Sequence, residues 1–156
     1  MNPHALVEAI TAIDNAQSQY PNLGWEGFYP IHIGKGQTRE MSPPNTPRLP
    51  EQVAMSIDFL RHCVTTTSVR GLHAYNLKHM VEDWVDLTIT RNTCEGYIPM
   101  GAVIIAAIHL GFPMKIQKRE TIRGFHPMLP INDAVWIGVD KHKAAELVAA
   151  KRHWYV

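Results

Sequence analysis

Residues 97–113 read Tyr97-Ile-Pro-Met-Gly-Ala-Val-Ile-Ile-Ala-Ala-Ile-His-Leu-Gly-Phe-Pro113, and eight of the ten residues from Gly101 to Leu110 are apolar. A helix with no polar face must be covered on every side. Its ends are legible. Pro99 suits a first turn, where a missing N–H is no loss. Gly111 is placed for a left-handed C-cap, and Pro113 forbids continuation. The stretch therefore predicts a central helix over about residues 100–111. It is too short to cross a bilayer: about a dozen residues rise roughly 18 Å, against a hydrocarbon core of about 30 Å.

The rest of the chain is read as the wall around that helix. Asn2 and Pro3 open a first helix over residues 3–16, with Leu6, Ile10 and Ile13 as its apolar stripe. Pro50 opens a second, to about Val64, with Val53, Ile57, Leu60 and Val64 inward. A third runs from about His73 to Leu87, with Tyr75, Leu77, Val81, Trp84 and Val85 on its buried side. After Pro113 the pattern changes to an exposed strand, Met114 to Ile122, then a buried one, Ala134 to Val139. Asp140 caps a terminal helix through His153. Residues 17–49 are punctuated by prolines and glycines and form an arm, with a short strand at Gly27–Ile33 pinned by Trp25, Phe28 and Tyr29. The expected fold is α+β, mainly α: one domain of four to five helices around a buried central helix, with a small two-stranded β element.

Composition narrows the function. The chain has 156 residues, 46% hydrophobic and 19% charged, with a formal charge of +1. That is ordinary for a globular domain and gives no global field to gather nucleic acid or anionic membrane. The start of the chain lacks a basic region followed by an apolar run, so a cytoplasmic protein is expected. Two cysteines, Cys63 and Cys94, have no metal-ligand spacing. No cofactor or metal motif is present. There is no nucleophile elbow, no zinc-protease motif and no dinucleotide fingerprint. Gly34-Lys-Gly-Gln-Thr38 lacks the order a phosphate loop needs. These absences favour a non-enzymatic protein.

The densest polar constellation lies on the third helix. His79 has Glu82 three residues on and Asp83 four residues on, so one helix face can bring them together. A histidine–carboxylate set of this kind can act as a general base or contribute to a metal site. The simpler reading is a solvated face carrying local ion pairs, with Lys78 and Asp86 on the same side. Lys115, Lys118, Arg119 and Arg123 make a local basic patch. A nucleic-acid reading also asks for stacking aromatics, and Phe125 is the one aromatic within the patch. A helix-turn-helix built on the third and fourth helices fails, because Gly101–Leu110 offers no polar side chains to base edges.

Tyr75-Asn-Leu-Lys-His79, Glu82 and Trp84, followed by Tyr97-Ile-Pro-Met-Gly101, Ile105-Ala-Ala and Gly111-Phe112, resemble small uncharacterised proteins of bacterial mobile elements. The resemblance covers about a quarter of the chain and carries no catalytic residue with it. It implies a phage or plasmid accessory protein that binds a host protein, a defence factor included. Trp25, Phe28 and Tyr29 are the expected binding residues, since Trp and Tyr dominate interface hot spots.

Overall fold

The computed structural model describes residues 2–28, 48–67, 71–86, 97–117 and 133–153. At its centre lies the helix Met100–Leu110, α4. Gly101 to Ala107 are all buried, and the last turn, Ile108 to Leu110, reaches the surface. Pro99 is the extended N-cap, and Gly111 caps the other end at φ +74°. The Phe112 N–H donates back to the Ala107 carbonyl at 3.0 Å, closing the helix as the glycine and proline signals predict.

Three helices pack on α4. The helix α1, Pro3–Gln19, starts on Asn2, whose side-chain oxygen accepts the His4 N–H at 2.9 Å. Its buried face is Ala9, Ala12, Ile13 and Ala16. The expected stripe is thus displaced: Ile10 is 48% exposed, and alanines line the contact. Alanines let α1 lie close to its neighbours, where larger side chains would hold it off. The helix α2, Leu49–His62, buries Val53, Ile57, Phe59 and Leu60. It stops at Cys63, and Val64, expected inward, is 50% exposed. The helix α3 spans Ala74–Asp86, and α5, Lys141–His153, packs against it. The Asp140 carboxylate accepts the Lys143 N–H at 3.0 Å, the cap that the sequence predicts for α5. Trp154 and Tyr155 lie outside the described residues.

The β structure is larger than the two-stranded element expected. Leu23–Gly24 (β1) and Gly27–Phe28 (β2) pair as a short antiparallel hairpin. Of the strand expected at Gly27–Ile33, the part from Tyr29 onward lies outside the described residues. Leu72–His73 (β3), Met114–Gln117 (β4) and Ala134–Ile137 (β5) form a second, antiparallel sheet in the order β3-β5-β4. The β4–β5 pairing is the two-stranded element expected; β3 is an addition, and of its two residues His73 is the expected start of α3. Two residues before a helix carry no period of their own, so the sequence offers no strand signal there. Gly71 makes the pairing possible: a Cβ on it would lie 1.9 Å from the Ile137 carbonyl oxygen. Among the described residues no helix is long and apolar enough to cross a membrane.

Candidate functional site

Ile98, in the segment leading into α4, is fully buried. Its backbone N–H and carbonyl therefore need partners inside the protein. Two side chains of α3 supply both. Lys78 Nζ donates to the Ile98 carbonyl at 3.1 Å, and Glu82 Oε1 accepts the Ile98 N–H at 3.2 Å. Lys78 and Glu82 also bind each other, Nζ to Oε1, at 2.8 Å. Lys78 is only 6% exposed, which corrects its expected place on a solvated face. The cause is the crossing chain: residues 97–99 lie along that side of α3, and a stem with a charged tip reaches under them.

The remaining polar groups build outward from this pair. Glu82 Oε2 takes a hydrogen bond from His79 Nδ1 at 3.0 Å. Burial pushes the Glu82 carboxyl pKa upward, but hydrogen bonds from Lys78, the Ile98 N–H and His79 outweigh it. The net pKa lies below the ordinary 4.5, and Glu82 is an anion at neutral pH. The expected contact of His79 with Asp83 does not form; His79 takes Glu82, three residues on. Asp83 is exposed.

Aromatic rings cover the ion pair. The Lys78 ammonium lies 4.3 Å from the Tyr97 ring centroid and 5.9 Å from that of Tyr75. Tyr75 meets His79 edge-to-face at 4.5 Å, and Tyr97 meets Trp25 at 5.8 Å. The result is a continuous strip, Trp25–Tyr97–Lys78–Tyr75–His79–Glu82. Tyr75 is 52% and Tyr97 45% exposed, so Tyr75, expected on the buried side of α3, faces outward. Trp25 is held by its backbone: its carbonyl accepts the Gly101 N–H at 2.8 Å, satisfying a free donor of the first turn of α4. The Tyr97 carbonyl accepts Gln52 Nε2 at 3.0 Å.

The other residues singled out by sequence fall elsewhere. Phe28 is buried in the core against Tyr20 at 5.2 Å, so it is a packing residue and not a binding one. Tyr29, Lys118, Arg119 and Arg123 lie outside the described residues, and Lys115 stands exposed on β4. The histidines His73, His79 and His109 are dispersed. His73 packs on Trp136, His79 on Glu82 and His109 on Glu8. Among the described residues no group of three His, Cys, Asp or Glu is arranged to hold a metal. Burial raises the Cys63 thiol to about 12, which removes it as a nucleophile.

Sequence reading found His79, Glu82 and Trp25 but missed Lys78, Tyr75 and Tyr97 as parts of one site. The available signal was the lysine–glutamate spacing at i and i+4; what it lacked was the chain crossing above. No protein-family model matches the chain, and neither a curated protein nor a solved structure matches it.

Proposed function

We propose that the protein works by binding another protein through the strip formed by Tyr75, His79 and Tyr97, with Trp25 at its end. The observation that carries this reading is two large tyrosines exposed side by side on a rigid base. Each ring is already positioned by Lys78, His79 or Trp25. A fixed tyrosine gives up little conformational freedom when a partner covers it, which is why such residues serve as interface anchors. The resemblance of residues 75–112 to mobile-element proteins supports a host protein as the partner. An accessory protein seated on a host or defence factor by this strip acts as its inhibitor.

The test is site-specific crosslinking in cells of the host. A photo-reactive phenylalanine replaces Tyr75, Tyr97 or, as control, Val7 of α1. The reading expects one partner band at both tyrosine positions and none at Val7. Equal labelling at all three, or none at the tyrosines, counts against it.

A second reading has one observation in its favour. Glu82 fixes His79 through Nδ1, which leaves Nε2 free to take a proton, as in a general base. Among the described residues the contacts of His79 are the Glu82 carboxylate and the Tyr75 ring, neither of them a serine, threonine or cysteine for it to deprotonate. Two variants separate the readings: Tyr97→Ala removes protein binding and leaves general-base catalysis in place, whereas general-base catalysis does not survive His79→Gln.

A further inference from the structure

The pairing of β3, β5 and β4 puts His73, Trp136 and Lys115 in one row across the sheet. Residues paired in register share a face, and the neighbouring row, Leu72, Ile137 and Met114, turns to the core. The His73–Trp136–Lys115 row is thus on the outer face. Trp136 is half-buried and braced by His73, whose ring meets it at 5.1 Å and 89°. Beside this row lies a cavity of about 180 Å³, lined by Trp136, Lys115 and Thr67 among others. Its walls are stiff. Gly138 lies against Thr66 so closely that a Cβ would sit 2.5 Å from the Thr66 carbonyl oxygen, and Gly71 is locked on Ile137.

We propose that this cavity binds a nucleotide, with the base against Trp136 and the phosphate at Lys115. An indole and an ammonium at one cavity suit a ligand that is planar and anionic together. Among the described residues no carboxylate pairs with Lys115 or lines the cavity, so the cation is available to a ligand's anion. Thr67 adds a hydroxyl that can donate or accept. The volume sets the size. It is below the roughly 300–1,000 Å³ of pockets for drug-sized ligands, so it seats one ring system. The basic patch read from the sequence holds a single aromatic, Phe125; strand pairing brings Trp136 beside Lys115 across twenty-one positions of sequence. This site shares no residue with the Tyr75–Tyr97 strip, so either can fail without the other.

The nucleotide can be free or part of a single strand, and two probes distinguish the sources. The full chain is titrated calorimetrically with adenosine 5′-monophosphate and by fluorescence anisotropy with a labelled oligothymidylate. Binding of the monophosphate alone identifies a free nucleotide; binding of the oligomer, with affinity falling steeply as salt rises, identifies a strand. In either case Lys115→Gln weakens binding by about tenfold, the scale of one lost contact, and Lys143→Gln on α5 leaves it unchanged. Trp136→Leu removes binding and Trp136→Phe, which keeps a ring and the fold, retains it within about threefold. No binding of either probe overturns the proposal, as does binding that Lys115→Gln does not alter.

Discussion

Glu8 of α1 and His109 of α4, 101 residues apart, meet at 2.8 Å between Oε1 and Nε2. The same carboxylate oxygen also accepts Arg61 from α2, so a single anion ties three helices together. His109 is thereby explained as a surface clasp where the central helix emerges. The hydrogen bond from His109 lowers the Glu8 pKa, desolvation opposes it, and Arg61 adds to the lowering; the net value is below 4.5. A carboxylate with a depressed folded pKa contributes stability that is complete above its unfolded value. That contribution disappears as pH falls through the folded value. Glu82 has the same sign. Urea midpoints should therefore fall as pH is lowered from about 6 to about 3.5. Glu8→Gln should reduce that fall and, at neutral pH, cost about 0.5–1 kcal/mol, as expected for a partly exposed ion pair. An unchanged pH profile in Glu8→Gln would remove the clasp.

Lys78→Met tests the base of the aromatic strip. The substitution keeps the apolar stem and deletes the ammonium, leaving the Ile98 carbonyl and Glu82 without it. Breaking such a pair inside a protein costs about 3–5 kcal/mol. Glu82 still holds Ile98 N–H and His79, so the lower end is expected. Lys78→Met combined with Glu82→Gln should recover part of the loss, because no uncompensated anion remains. Equilibrium urea unfolding of the two single variants and the double variant measures the coupling. Additive losses would show that the two side chains act independently.

The elements that sequence reading identified are those with a local cause. The ends of α4 follow from Pro99 and Gly111, the start of α1 from Asn2 and Pro3, and the start of α5 from Asp140; each cap is a matter of a few neighbouring residues. What it missed depends on distant chain. Lys78 reads as a surface lysine until Ile98 crosses it, and His73 reads as the start of a helix until Trp136 pairs with it. For Ile10 the local pattern was outweighed: the alanines beside it permit a closer helix contact than the isoleucine stripe would. The candidate site was half legible for the same reason. His79 and Glu82 lie on one helix, whereas the tyrosines gain their meaning only from the packing of α3 against the entry to α4.

Cys63 should be inert in the folded protein. Its thiol is desolvated, its pKa is raised to about 12, and Sγ lies 3.5 Å from the Phe59 carbonyl oxygen. The thiolate is the reactive form, so alkylation is suppressed wherever the thiol stays protonated. In a Cys94→Ser background, iodoacetamide near pH 8 should label Cys63 at least about a hundredfold more slowly than it labels the urea-unfolded chain. Mass spectrometry of intact protein follows the reaction. Comparable rates in the two states would contradict the buried environment.

Gly101→Ala sets helix propensity against packing. On propensity alone the change should stabilise α4 by about 1 kcal/mol. The structure predicts the opposite. A Cβ at position 101 would lie 2.2 Å from the Gly24 carbonyl oxygen and 2.7 Å from that of Trp25. Both contacts are with backbone, which cannot swing aside as a flexible side chain does. The β1–β2 hairpin would have to move off the first turn of α4, breaking the Gly101 N–H to Trp25 hydrogen bond and shifting the end of the aromatic strip. Forced overpacking of this kind costs about 1–3 kcal/mol. Gly111→Ala provides the control, because there no atom lies within 4 Å of the added Cβ and the penalty is that of the φ +74° conformation alone. That penalty is about 1–2 kcal/mol. Both variants should lower the thermal midpoint, but only Gly101→Ala should also change the fluorescence of Trp25, read in a protein whose other three tryptophans are phenylalanine. A Gly101→Ala protein that is more stable than its parent would show that the hairpin does not rest on the helix.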